Sequence, residues 1–164
     1  MIRPTAEKLK EVRLLATFQL NELEYLLRMG QMAQFEPHSN VIIEGEMSWG
    51  LYLILTGVCG VFKTNKLTGD SFDVAQLREG SFFGEMSLID DLARSATVKA
   101  LTDTQLLYIS KEAFQKFLAM APTMKERFHE AVIRILVGRL RELDDSYVTS
   151  QYQLWKTVMK REAS

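Results

Sequence analysis

The spacing of apolar residues changes twice along the chain, and that change limits the fold more than any other feature. Over residues 5–29, Leu9, Val12, Leu15 and Ala16, then Leu20, Leu23, Leu26 and Leu27, recur at helical spacing. Between residues 31 and 109 the pattern becomes short runs rich in Val, Ile, Leu, Phe and Tyr, separated by Gly, Asn, Asp and Pro. That is the punctuation of β structure. From Ser110 the helical period returns. Strands are predicted at 32–35, 41–44, 51–56, 58–63, 71–77, 95–100 and 105–109, with one helix among them at 84–89. They lie too close together for a parallel sheet, whose crossovers need about a dozen residues or more. The pattern predicts an α+β chain: an antiparallel β-roll (jelly roll) flanked by N-terminal helices and a long C-terminal helix. Its parts are an N-terminal helical segment (1–30), the β-roll (31–110) and the C-terminal helices (111–164).

The helical ends carry further signals. Two short helices break around Thr17-Phe18; the second starts near Gln19, where Asn21 can cap free amides and Glu22 and Glu24 suit the positive helix end. Gly30 ends it. Ser110 caps a short helix, and a long one begins after Pro122. Along the long helix Ile133, Leu136, Leu140, Leu143 and Tyr147 are spaced three, four, three and four residues apart, as in a coiled-coil seam. The seam predicts a homodimer through this helix; the alternative is that the stripe packs on the chain's own β domain.

Composition narrows the function classes. The chain has 164 residues, 47% of them hydrophobic, enough to build a core. Twenty basic residues against twenty-one acidic ones give no field that would draw nucleic acid or an anionic membrane nonspecifically. Any anion must be bound locally. No apolar run approaches the roughly twenty residues that span a bilayer, and the opening MIRPTAEKLKEV is charged where a signal peptide needs an apolar core. A cytoplasmic location is expected. The single cysteine, Cys59, rules out an internal disulfide and reads as a buried small hydrophobe. His38 and His129 are far apart in sequence, so no metal centre is expected. Ser87, Ser95 and Asp90 have no histidine nearby to activate them, which argues against hydrolysis. The acid pairs Asp90-Asp91 and Asp144-Asp145 read as solvated. Trp49 and Trp155 could each stack on a base, with packing the more ordinary use of Trp155.

The stretch FFGEMSLIDDLARSATVKA, residues 82–100, gathers groups suited to an anion. Gly84, without Cβ, permits a sharp turn and close approach of a ligand. The amides of Glu85, Met86 and Ser87 would then be donors at a helix start. Arg94, returning after the helix, can bring a guanidinium fork to the same spot, and Ser95 and Ala96 leave room for further backbone contacts. Together they predict a pocket for one phosphate. Glu85 would repel that phosphate, so it either accepts a hydrogen bond from a sugar hydroxyl or complements the helix dipole.

These residues also carry a resemblance. FGEMSLIDDLARSATVKA, with EGE at 44–46 and LYLILTGVCGVF at 51–62, resembles the cyclic nucleotide-binding domain of protein kinase A regulatory subunits and of the catabolite activator protein. The resemblance implies a noncatalytic regulatory sensor whose ligand is cyclic AMP. Gly84, Met86 and Ser87 would offer backbone amides and close approach, Glu85 would hold the ribose 2′-hydroxyl, Arg94 would pair with the cyclic phosphate, and Ser95 and Ala96 would complete the phosphate contacts. Cassettes that prefer cyclic GMP often carry threonine after the arginine; Ser95 leans toward cyclic AMP and leaves cyclic GMP open. In the family the base is covered by a residue of the C-terminal helix or a neighbouring domain, and Leu136, Arg139 and Leu140 are the candidates here. No cofactor beyond the ligand and no metal is implied. The signal would pass to an unidentified effector protein or domain. Residues 148–164 are too few for a winged helix-turn-helix, so direct nucleic-acid binding is not expected, nor is membrane binding. The competing expectation is a dimerising structural module whose cassette binds nothing.

Overall fold

The computed structural model describes residues 3–90 and 92–162. Among them eight strands pair into two antiparallel four-stranded sheets: β1 (Gln31–Phe35), β2 (Asn40–Ile42), β3 (Gly50–Thr56), β4 (Val58–Thr64), β5 (Ser71–Arg78), β6 (Phe82–Phe83), β7 (Thr97–Ala100) and β8 (Thr104–Ser110). One sheet runs β1-β8-β3-β6 and the other β2-β7-β4-β5. The five helices are α1 (Ala6–Lys10), α2 (Leu20–Met29), α3 (Met86–Ile89), α4 (Lys111–Leu118) and α5 (Pro122–Glu162). This is the expected β-roll with helices on both sides. The chain divides into two units, the first ending at Phe128 and the second starting at His129.

Why LYLIL reads as an unbroken apolar run becomes clear in β3. Ile54 joins Ile42, Cys59, Phe83, Val98 and Leu106 in the core that both sheets share. Leu51 and Leu53, on the alternate positions, are also fully buried, and α3 and α4 both touch this strand. A strand covered on both faces has no polar side to show. A second cluster, rich in aromatic rings, ties the helices of the first unit together. Phe117 lies 5.2 Å from Phe18 and 5.8 Å from Phe114, and Phe114 meets Phe128 edge-on at 4.9 Å. Each such ring pair adds about 0.5–1.5 kcal/mol to the burial of its area. Arg127 completes this junction, donating to Thr17 O at 2.9 Å and to Glu22 Oε1 at 2.6 Å, with its guanidinium carbon 5.1 Å from the centre of the Phe18 ring.

The first helix is shorter than its pattern predicts. After Lys10 the chain continues in three-residue turns, with Val12 N bonded to Leu9 O, Leu15 N to Val12 O and Phe18 N to Leu15 O. The tighter period buries Leu14 and leaves Ala16 exposed. At α2 the cap lies at Gln19, whose amide donates to Glu22 Oε2 at 2.8 Å; Asn21 sits inside the first turn and accepts from the amide of Glu22 at 3.0 Å. Gly30 ends the helix as expected, with its amide on Leu26 O, and Ser110 caps α4 through the amide of Ala113 at 3.2 Å. β6 was not legible: two residues are too few to alternate.

Two strand ends stop early for one reason. The predicted 41–44 strand ends at Ile42 because the amide of Glu44 donates to Thr97 Oγ1 at 3.0 Å. The predicted 95–100 strand begins only at Thr97, and the carbonyl of Ser95 accepts from Lys63 Nζ. Side chains occupy backbone groups that a ladder would have used. Among the described residues no helix is long and apolar enough to cross a membrane.

Candidate functional site

Arg94 is the centre of the cassette, and it points inward. Only 5% of it is exposed. Its Nε donates to Ser48 Oγ at 3.0 Å, its Nη1 to Ser87 Oγ at 3.0 Å and Gly84 O at 3.4 Å, and its Nη2 to Gly50 O at 3.2 Å. Beneath it Tyr52 offers a ring face 5.8 Å from the guanidinium carbon. Tyr52 is held in turn by stacking on Phe83 at 5.0 Å and by tilted contact with Tyr108 at 4.9 Å. Every hydrogen-bond acceptor of the Arg94 guanidinium is therefore neutral, two hydroxyls and two carbonyls. Burial pushes its pKa below the ordinary value, while Tyr52, Tyr108 and Glu85 pull the other way from longer range. Even so, an arginine stays protonated. The fold has placed a positive charge in a low-dielectric corner without a carboxylate in direct contact among the described residues.

Gly84 turns with φ +84°, in the left-handed region. A Cβ there would strike Gly50 O and lie 2.7 Å from Arg94 Nη1. Close approach at this glycine is thus made first by the protein's own arginine. The turn leads into α3, a single helical turn with Glu85 at its cap position. Glu85 is buried, 4% exposed, and makes no capping hydrogen bond. Among the described residues nothing accepts from the backbone amides of Met86 and Ser87. The Ser87 hydroxyl, itself buried, donates to Gly84 O at 2.8 Å and accepts from Gly50 N at 3.3 Å as well as from Arg94. Sequence reasoning assigned Ser87 a backbone role; its side chain does more.

A second cation sits at the edge of the cassette. Lys63, on β4, pairs with Glu44 Oε1 at 2.6 Å and also donates to the carbonyl of Ser95. Glu44 Oε2 accepts from the amide of Thr64 at 2.9 Å. The Lys63 hydrogen bond, followed by that of Thr64, holds the Glu44 carboxyl down at about 2.

The structure thus brings Gly84, Glu85, Met86, Ser87 and Arg94 together around one turn. Ser95 is exposed, with its hydroxyl 3.8 Å from Met86 Sδ, and Ala96 is half-buried beside it. Leu136, Arg139 and Leu140 lie in the second unit with exposed side chains. Trp49 is partly exposed, and its carbonyl accepts from Tyr108 OH at 3.1 Å. Asp90 receives the amide of Leu92 at 3.3 Å, a local turn; Asp91 lies outside the described residues. Cys59 is buried, and burial pushes its thiol up to about 11, so it is an inert core group. No cluster of metal-ligating side chains exists among the described residues. Ser48, Gly50, Tyr52 and Lys63 were missed as site residues.

The fold and this corner define a class, a small ligand-binding β-roll flanked by helices. Residues 32–120 match the family model of the cyclic nucleotide-binding domain. The chain belongs to that family. It is 37% identical over 110 residues to a cAMP-dependent protein kinase regulatory subunit from Yarrowia lipolytica, covering 67% of this chain and 28% of that protein. To a cyclic AMP receptor protein from Thermus thermophilus it is 31% identical over 123 residues, 75% of this chain and 55% of that one. The chain thus spans about a quarter to about half the length of these relatives. A solved cyclic nucleotide-binding domain from Methylobacillus flagellatus has a TM-score of 0.73 at 27% identity, covering 84% of this chain and 80% of that one.

Proposed function

We propose that this chain is a noncatalytic sensor that binds cyclic AMP with the cyclic phosphate against Arg94. The observation that carries the reading is the buried guanidinium with neutral acceptors alone. A buried charge is costly unless an opposite charge meets it, and a phosphodiester offers one negative charge and paired oxygens for a planar fork. The amides of Met86 and Ser87 suit the same anion. Glu85 takes the ribose 2′-hydroxyl, which donates to it, and Ser95 and Ala96 complete the phosphate contacts. Ser95 leans toward cyclic AMP, which names both relatives above, and leaves cyclic GMP as the alternative ligand.

Output is by re-docking of the C-terminal helices. The carbonyl of Asp90, just past α3, accepts from Lys111 Nζ at 3.1 Å, and Lys111 opens α4. A ligand that draws Arg94 and the start of α3 together would pull on α4 through this link, biasing a two-state element. The stripe Ile133, Leu136, Leu140, Leu143 and Tyr147 is 39–64% exposed. That exposure supports a homodimer through α5, relaying the signal to an effector protein.

A second reading has one observation behind it: the hydrogen bonds from Arg94 to the protein are those a non-binding, structural cassette would need. Thermal melts separate the two. A binder gains about 2.7 kcal/mol at a ligand concentration one hundred times its dissociation constant, so the melting point should climb with cyclic AMP, less with cyclic GMP, and stay flat for the structural module.

A further inference from the structure

The loop between β2 and β3 grips Arg94 at both backbone and side chain. Gly45 N donates to Arg94 O and Arg94 N to Glu46 O, each at 2.9 Å. From the same loop Ser48 Oγ takes the Nε donor at 3.0 Å, and from the start of β3 Gly50 O takes Nη2 at 3.2 Å. A guanidinium is planar, so acceptors on Nε and Nη2 fix its rotation as well as its position. Gly50 O is backbone and is present whatever the side chain. The Ser87 hydroxyl has other duties, on Gly84 O and Gly50 N. The Ser48 hydroxyl differs from both: among the described residues its one hydrogen bond is to Arg94.

We infer that Ser48 is a positioning residue for ligand binding, which orients the Arg94 fork toward the phosphate and has no other structural task. The inference rests on Arg94 being the phosphate partner. Removing a hydroxyl with a single partner costs the ligand-free fold that one bond and frees the guanidinium plane to rotate. The loss should appear in affinity as well as in a modest drop in stability.

The experiment is calorimetric titration of cyclic AMP into the parent, Ser48→Ala, Ser48→Thr, Arg94→Ala and the Ser48→Ala/Arg94→Ala double variant, each also melted without ligand. Ser48→Ala should bind about tenfold more weakly, the scale of one hydrogen bond to a charged group, with the ligand-free melting point lowered modestly because the buried Nε loses its acceptor. Ser48→Thr, which keeps the hydroxyl, should recover most of the loss. In the Arg94→Ala background the serine change should add less than about twofold, because coupled residues are not additive. Parent-like binding by Ser48→Ala, failure of threonine to rescue, or a full tenfold effect without Arg94 would each overturn the inference. A parent that binds neither cyclic AMP nor cyclic GMP would instead overturn the function on which it rests.

Discussion

Two cations stand at the cassette, and they are held in opposite ways. Lys63 is half-exposed and already neutralised by Glu44, which lies 2.6 Å away. Arg94 is almost wholly buried and touches only neutral groups. Lys63 needs nothing further; it ties β4 to the loop after β2 and to the carbonyl of Ser95. Arg94 has no carboxylate in direct contact among the described residues, in a place where charge is expensive. On the proposed reading the difference separates a cation that holds the fold from one that would meet an anion, and it is drawn without reference to sequence likeness.

The largest test of that contrast is Arg94→Ala. Losing a desolvated phosphate partner should cost about 2–5 kcal/mol, or about thirty- to several-thousand-fold in affinity for cyclic AMP. Calorimetry showing undiminished binding would leave Arg94 no different in kind from Lys63. Gly84→Ala comes next. Its methyl would meet Gly50 O and Arg94 Nη1 and would force a side chain into φ +84°. The strain should lower stability by about 1–3 kcal/mol, read by thermal melts, and displace the guanidinium enough to weaken binding in parallel. Stability lost with binding intact would show that the turn and the arginine are independent. Glu85→Ala should act more mildly, weakening cyclic AMP about tenfold and erasing discrimination against the 2′-deoxy ligand. Discrimination that survives would remove Glu85 from ribose recognition.

How far this contrast could be read from sequence depends on the range of each interaction. Turn-bounded stretches of seven or eight residues rich in strand formers mark β3, β5 and β8 well, and residue chemistry alone singles out Gly84, Glu85 and Arg94. The acceptors that hold Arg94 leave no such mark. Ser48 and Gly50 stand 46 and 44 positions before it, and a lone serine or glycine in a loop has no period and no distinctive chemistry. Lys63 was hidden differently. It reads as the polar end of a strand, and its role exists only because β4 lies beside β7. In the N-terminal segment the apolar residues were visible but their period was not, since spacings of three suit both an α-helix and the tighter turns that bury Leu14 and expose Ala16.

The smallest expected effect belongs to the Lys63 pair and tests the contrast from its other side. The Glu44 carboxyl sits at about 2, below its ordinary 4.5, held chiefly by Lys63. A depressed carboxyl stabilises the fold at pH above its unfolded value and loses that contribution as pH falls through the folded value. The melting-point advantage of the parent over Glu44→Gln should therefore be full above about pH 5 and vanish toward pH 2. Lys63→Met should shrink the same advantage, because it removes the main partner. At neutral pH it should alter cyclic AMP affinity by less than about fivefold, the range of an exposed ion pair. A loss approaching that of Arg94→Ala would mean that Lys63 faces the ligand as a second positive contact despite its carboxylate. The cassette would then bind through two charges, and burial without a counter-ion would no longer distinguish the group that does the binding.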